Sequence, residues 1–178
     1  MTEILKDPRF QQTLADLSSQ TGQSKGAVEK EAGKYLKEMV AVHHPMSNLI
    51  MPPLIESILS RGYDKTIDVN PIELRQLSRT MRRHSLAFVM THKTYIDMIV
   101  LATVLDRHGL PRPFIFAGAN LRFLGLAQVG QQSCVIFIRR SFKDNYVYKA
   151  TLRHYIATLI RHLLRQYGGA SSLPACLY

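Results

Sequence analysis

A histidine and an aspartate stand close together where an apolar run turns polar. They are His92 and Asp97, in the stretch VMTHKTYIDMIV at residues 89–100. Five positions along a regular α-helix turn the chain by about 500°, which leaves two side chains about 140° apart. The pair can therefore meet only across a junction, with His92 in the loop after a strand and Asp97 in the first turn of the next helix.

Such a pair can activate a hydroxyl group. The carboxylate accepts a hydrogen bond from one imidazole nitrogen, and the other nitrogen takes a proton from a substrate hydroxyl, which then attacks an acyl carbonyl. The sequence contains no GxSxG nucleophile elbow, so direct acyl transfer is favoured over an acyl-enzyme. A second interpretation is open on spacing alone: Thr94 to Asp97 fits a capping box, which makes Asp97 a helix-start residue and His92 an ordinary loop histidine.

Two adjacent arginines form the second group of candidate residues. The stretch VIFIRRSFK presents Arg139 and Arg140 at the end of an apolar run. Guanidinium groups match phosphate oxygens in pairs, and open α/β sheets bind ligands at the carboxyl ends of their strands. We therefore expect the arginines at the same sheet edge as His92. The alternative is that one or both pair with a carboxylate or lie in solvent.

The elements that must position these residues follow from the apolar pattern. Residues 1–84 are typical of a helical N-terminal region, with helix starts at Asp7-Pro8 and Asn70-Pro71. Residues 85–167 contain three short apolar runs, LAFVM, FIFAG and CVIFI, separated by helical stretches. This order predicts an α/β fold with a parallel βαβαβα unit. Residues 168–178 are predicted to be an irregular tail.

Composition limits the partners. The chain has 178 residues, 46% of them hydrophobic, and a formal net charge of +10, which favours phosphate-bearing partners. The longest central apolar stretch, residues 98–105, is shorter than the roughly 20 residues of a membrane span, so any membrane contact is expected to be peripheral. We expect a cytoplasmic setting, since the chain starts without a signal-peptide pattern and its two cysteines form no CxxC. No metal, cofactor or nucleic-acid partner is predicted.

With the histidine–aspartate pair and the two arginines in this order, the chain resembles the glycerol-3-phosphate acyltransferase family of phospholipid and glycerol acyltransferases. HKTYID is similar to the family's HxxxxD block, CVIFIRRSFKDN to its FIRR block, and FIFAGANLRFLGL to the segment between them. The resemblance runs from about residue 85 to residue 164. It implies that His92 is the base, that Asp97 is its partner, and that Arg139 binds the phosphate of glycerol 3-phosphate, with Arg140 beside it.

The resemblance also implies the substrates. The donor would be acyl-CoA or acyl carrier protein, the product lysophosphatidate, and the location the cytoplasmic face of the membrane. Lysophosphatidate acyltransferases typically carry an acidic residue where Arg139 stands, which favours the glycerol 3-phosphate branch. A lysophosphatidate or dihydroxyacetone phosphate acyltransferase is the alternative within the family.

The end of the chain departs from the family pattern. The family continues into a third block of the form FxEGxRS and a fourth block with proline, whereas this chain reads RQYGGASSLPACLY. This departure predicts a fold incomplete at its C-terminus and possible loss of activity. A rival hypothesis is a non-enzymatic basic module that docks on anionic membrane through these cations: Arg82, Arg83, Lys149, Arg153, Arg161 and Arg165.

Overall fold

The protein is a mixture of helices and a small parallel sheet. The computed structural model describes residues 2–41, 53, 55–57, 59–62, 67–84, 86–91, 94, 96–120, 127–142 and 144–167. The helices are α1 Thr2–Leu5, α2 Pro8–Thr21, α3 Lys25–Met39, α4 Pro71–Met81, α5 Ile96–Arg107, α6 Ala127–Gln132 and α7 Tyr146–Tyr167; the strands are β1 Ile115–Gly118 and β2 Val135–Ile138. Residues 53, 55–57 and 59–62 are also helical.

The predicted helix starts are confirmed where local capping chemistry specifies them. The Asp7 carboxylate accepts the Arg9 N–H at 2.9 Å in front of Pro8, and α2 ends at Gly22 with φ of 68°. Asn70 accepts the Ile72 N–H at 2.9 Å at the start of α4. An acceptor at the N-cap and a left-handed glycine after the last turn satisfy backbone groups that the helix itself leaves unpaired.

One hydrophobic core joins the N-terminal helices to the α/β part. Phe10, Leu14 and Leu17 have the spacing of one helix face. That face of α2 is buried and belongs to one cluster with residues of α3, β2 and α7. The predicted boundary between residues 84 and 85 stays a prediction, but α2 and α3 share their core with elements beyond it. The buried side chains at its centre are Phe10, Leu14, Val28, Ala32, Leu36, Met39, Ile136, Val147, Tyr148, Tyr155 and Leu159.

The sheet confirms an α/β fold with parallel pairing. β1 and β2 run parallel, with Ile115 opposite Val135 and Gly118 opposite Ile138. The strands predicted from FIFAG and CVIFI are therefore present, and their carboxyl ends lie at one edge.

The first predicted strand, LAFVM, is not formed in the structure. Residues 86–90 have no strand conformation, and Val89 is 96% exposed. A strand needs a neighbouring strand for its backbone hydrogen bonds, and an apolar run alone does not supply one. The complete βαβαβα layout is thus not confirmed.

Within the described residues, no helix combines the length and the apolar character that crossing a membrane requires.

Candidate active site

Asp97 sits at the start of α5 and is held by Thr94. The Thr94 N–H donates to Asp97 Oδ2 at 2.9 Å, and the Thr94 hydroxyl donates to Oδ1 at 3.1 Å. The structure thus has the capping arrangement that was one of the two interpretations of this spacing. A carboxylate has about four acceptor sites, so accepting from Thr94 does not by itself exclude a further donor. His92 lies outside the described residues, and its pairing with Asp97 stays a prediction.

Arg139 follows β2 and is paired with Glu38 of α3. Its Nε donates to Glu38 Oε2 at 3.1 Å, and its Nη2 donates to Oε1 at 2.9 Å and Oε2 at 2.8 Å. The guanidinium lies 4.7 Å from the ring centroid of Tyr35 and 5.4 Å from that of Tyr148. Charge-assisted, paired hydrogen bonds and cation–π contacts with aromatic rings are favourable contacts for a guanidinium.

The surroundings of Arg139 keep it charged. Burial disfavours the cation, but the hydrogen bonds and the negative charge of Glu38 outweigh it and raise the pKa of Arg139 above its usual range. The backbone N–H of Arg139 donates to the Tyr148 hydroxyl at 2.8 Å. Tyr148 itself has a raised pKa, mainly because its phenol is buried. The Arg139 side chain is still 37% exposed, so part of it faces solvent.

Arg140 is exposed and lies next to the end of β1. A Cβ placed on Gly118 would lie 3.3 Å from Arg140 Nε and would collide with the side-chain oxygen of Asn120. Arg140 and Asn120 therefore crowd over the glycine at the carboxyl edge of the two paired strands. This is the sheet edge at which the sequence predicted the arginines. No position relative to His92 follows, since that residue is not described.

Sequence reasoning missed the residues that hold Arg139. Glu38 and Tyr35 belong to α3, and Glu38 is 101 positions away from its partner. Nothing in the spacing of KYLKEM links it to the arginine pair. Tyr35 is buried on a helix whose other buried residues are apolar, but this burial belongs to the folded chain and is not displayed by the sequence.

The described residues contain no group of three or more histidine, cysteine, aspartate or glutamate side chains placed to hold a metal ion.

Comparison with known proteins agrees with the sequence motifs. The sequence profile of the acyltransferase family matches residues 71–165, which include Asp97, Arg139 and Arg140. A protein called "Putative acyltransferase plsB1" in Mycobacterium tuberculosis and Mycobacterium bovis is 30% identical over 162 residues, covering 91% of this chain and 26% of the relative.

Two further relatives carry a more specific name. "Glycerol-3-phosphate acyltransferase" of Histophilus somni is 30% identical over 158 residues, and that of Actinobacillus succinogenes is 29% identical over 157 residues. Each alignment covers 88% of this chain and 19% of the relative. The chain thus spans about a quarter or less of the length of the curated relatives it matches. The profile match extends over more than half of the sequence, and the chain belongs to the acyltransferase family.

Proposed function

We propose that this protein transfers a fatty acyl group from acyl-CoA or acyl carrier protein to a hydroxyl of glycerol 3-phosphate, giving lysophosphatidate. The observation that carries the proposal is the placement of Arg139 and Arg140 at the carboxyl edge of the β1–β2 pair. A ligand with a phosphate group fits that edge of an α/β sheet, and two guanidinium groups match its oxygens. The names of the two glycerol-3-phosphate acyltransferase relatives support the same substrate.

In this proposal His92 is the general base and Asp97 its partner. His92 takes the proton of the acceptor hydroxyl while the oxygen attacks the thioester carbonyl carbon. The new ester C–O bond forms, the C–S bond breaks, and the imidazolium returns its proton to the leaving thiolate. Asp97 accepts from the other imidazole nitrogen, selects the tautomer and stabilises the imidazolium, as carboxylates do for catalytic histidines.

The two arginines have different tasks in the same site. Arg139 uses its Nε and Nη2 edge for Glu38, and its Nη1 group makes no hydrogen bond with any described residue. That group is therefore suited to a phosphate oxygen. Arg140 is exposed at the same edge and supplies the second cation.

An acyl-transfer assay tests the proposal. Membranes holding the native chain, and a matched His92→Ala chain, are incubated with glycerol 3-phosphate and labelled palmitoyl-CoA, and lysophosphatidate is measured. We expect product from the native chain and a loss of at least about 100-fold in the variant, since a general base contributes about 10²–10⁴-fold to the rate. Equal product from both chains, or none from either, contradicts the proposal.

We also propose that the protein works at the cytoplasmic face of the membrane as a peripheral protein. A surface groove on α7 is lined mainly by apolar side chains, with Lys149 and Arg153 at its side. Ile160, at one end of it, is 46% exposed. Apolar residues flanked by cations on one helix face are typical of helices that lie on anionic lipid. The apolar lining residues are Phe142, Leu152, Ile156, Ala157 and Ile160.

A further inference from the structure

We propose that Glu38 is a positioning residue of the acyl-acceptor site, which acts on the substrate phosphate through Arg139. The proposal rests on the proposed function and adds a residue that lies outside the family match at residues 71–165. In it, Glu38 holds the guanidinium of Arg139 edge-on, so that the Nη1 group is presented to the phosphate of glycerol 3-phosphate in one fixed orientation.

The geometry of the pair is that of a clamp along one edge of the guanidinium. Glu38 accepts from both Nε and Nη2, with three contacts between 2.8 and 3.1 Å. The ring centroids of Tyr35 and Tyr148 lie 4.7 and 5.4 Å from the guanidinium carbon. With Nε and Nη2 hydrogen-bonded to Glu38 and the rings of Tyr35 and Tyr148 in cation–π contact, Arg139 retains little rotational freedom, so binding a phosphate costs less side-chain entropy.

Glu38 is itself firmly placed. The Gln131 amide donates to the Glu38 carbonyl at 3.0 Å and to the Lys37 carbonyl at 3.2 Å, which ties the last turn of α3 to α6. The Tyr155 hydroxyl accepts the Ala41 N–H at 3.1 Å just beyond that turn. The side chain of Glu38 is 19% exposed. The backbone that carries the carboxylate is thus anchored from two other elements.

Tyr35 is held in place by two hydrogen bonds of its hydroxyl group. Its hydroxyl donates to Glu31 at 2.5 Å and accepts from the Asn145 amide at 2.6 Å. Asn145 in turn caps α7 by accepting the Tyr148 N–H at 2.6 Å. The aromatic ring over Arg139 is therefore held by hydrogen bonds from α3 and from the start of α7, so both contacts that orient the guanidinium are built before substrate arrives.

Charge and positioning predict opposite effects for removal of the Glu38 carboxylate. A negative charge next to Arg139 weakens the pull of that cation on a phosphate. If charge dominated, Glu38→Gln would bind glycerol 3-phosphate more tightly. If Glu38 positions Arg139, the same substitution frees the guanidinium and weakens binding. The entropy of an unrestrained arginine and the loss of a paired geometry favour the second outcome.

The test measures the Kd of glycerol 3-phosphate by calorimetry, and its KM and kcat in the acyl-transfer assay, for the full chain. Glu38→Gln is compared with Glu38→Asp, which keeps the charge but shortens its reach, and with Glu29→Gln. Glu29 is a surface carboxylate of the same helix, 3.8 Å from Lys25, so it controls for the change in net charge. Thermal midpoints are recorded for every variant, and the Glu38→Gln substitution is repeated in an Arg139→Ala chain.

We expect Glu38→Gln to raise Kd and KM for glycerol 3-phosphate about tenfold, as for loss of a charge-assisted contact, with kcat within about twofold. Glu38→Asp gives a smaller increase, and Glu29→Gln gives none. In the Arg139→Ala chain, Glu38→Gln has no further effect, because the residue acts through the arginine.

Two results overturn the inference. One is an unchanged or lower Kd in Glu38→Gln while Arg139→Ala weakens binding; the other is an equal loss from Glu38→Gln with and without Arg139. If neither Arg139→Ala nor Arg140→Ala changes glycerol 3-phosphate binding, the proposed function itself fails and the inference fails with it. The arginine variants thus separate the two failures.

Discussion

Glu38 and Arg139 form a bidentate salt bridge between the last turn of α3 and the end of β2, although 101 positions separate them in the chain. Its nitrogen–oxygen distances are 2.8–3.1 Å. The bridge links the N-terminal helices to the sheet edge at which we propose that the phosphate binds. The N-terminal region therefore belongs to the proposed site as well as to the core. Changes in α3 are expected to alter substrate binding and not only stability.

The role of Asp97 can be separated from helix capping. Asp97→Asn keeps an oxygen that can accept the Thr94 N–H but removes the charge that stabilises an imidazolium. We expect activity to fall at least about 100-fold while the free energy of unfolding changes by less than about 1 kcal/mol. Activity is measured in the transfer assay and stability by urea denaturation.

The matched control for Asp97 is Thr94→Ala, which removes the capping hydroxyl but leaves the carboxylate charge. This variant should lose about 1 kcal/mol of stability and retain most of its activity. If Asp97→Asn remains active and loses as much stability as Thr94→Ala does, Asp97 is a capping residue only.

Gly118 is predicted to keep space for the phosphate-binding groups. A Cβ at this position would collide with the Asn120 side chain and press on Arg140 Nε. We expect Gly118→Ala to raise the KM for glycerol 3-phosphate several-fold, at least about threefold, because small displacements of positioning groups weaken substrate contacts. The KM for palmitoyl-CoA should change less.

Gly26→Ala is the control for Gly118→Ala. Beyond the adjacent residues and the backbone of its own helix, no atom of the described residues lies within 4 Å of a Cβ at Gly26, in α3. Alanine there should therefore stabilise the helix by about 0.5–1 kcal/mol without altering either KM. An unchanged KM in Gly118→Ala would show that Arg140 and Asn120 move aside without cost to binding.

Local chemistry in the sequence predicted much of the helical part. An aspartate before a proline set the start of α2, and the spacing of Phe10, Leu14 and Leu17 predicted its buried face. β1 and β2 were predictable because they are short apolar runs between helices. These features depend on neighbours within a few positions, which a single sequence displays.

Features that depend on distant partners were not predictable. The run at residues 86–90 is as apolar as the two strands, yet it forms no strand, because strand formation depends on a partner and not on composition. The pairing of Arg139 with Glu38 was only one of two open alternatives, and its partner could not be named. Glu38 is one partly buried carboxylate on an amphipathic helix, and a single such residue does not change the spacing of the apolar residues around it.

Stability should fall in mildly acidic solution because of His154. Burial lowers the pKa of this imidazole below its usual value of 6.5, although the Asp7 carboxylate acts in the opposite direction. The ring is stacked on Phe10 with centroids 4.4 Å apart. The unfolded chain therefore takes up a proton more readily than the folded one. The stability that uncharged His154 contributes is fully present above pH 6.5. It is lost as the pH falls below that value towards the lowered pKa of the folded state.

Urea denaturation between pH 7.5 and pH 5.5 checks this prediction. His154→Gln should lose less stability over that range than the native chain, whereas a variant of the surface histidine His84 should behave like the native chain. The lowered pKa of Asp7 arises although burial opposes it, through the Arg9 N–H and nearby cations. The stability that ionised Asp7 contributes is lost only as the pH falls below the usual carboxyl pKa of 3.8, which lies outside the range from pH 7.5 to pH 5.5. Parallel slopes for all three chains would contradict the assignment.

Membrane docking should depend on the groove of α7. Ile160→Glu places a charge at an exposed apolar position and should weaken binding to phosphatidylcholine vesicles containing phosphatidylglycerol about tenfold or more. Arg153→Glu should weaken it similarly, and added salt should reduce binding of the native chain. Binding is measured by vesicle co-sedimentation.

The control for the docking variants is Ile72→Glu, an isoleucine of α4 that is 58% exposed. It should bind vesicles like the native chain. Equal losses from Ile160→Glu and Ile72→Glu would mean that exposed apolar area, and not the α7 groove, determines membrane binding.

The most direct test of the proposed function is the identity of the acylated product. The chain is given palmitoyl-CoA with equal amounts of glycerol 3-phosphate, dihydroxyacetone phosphate and lysophosphatidate, and the products are identified by mass spectrometry beside a His92→Ala chain. We predict that acylated glycerol 3-phosphate predominates and disappears in the variant. Phosphatidate as the main product, or no product above that of the variant, would contradict the proposal.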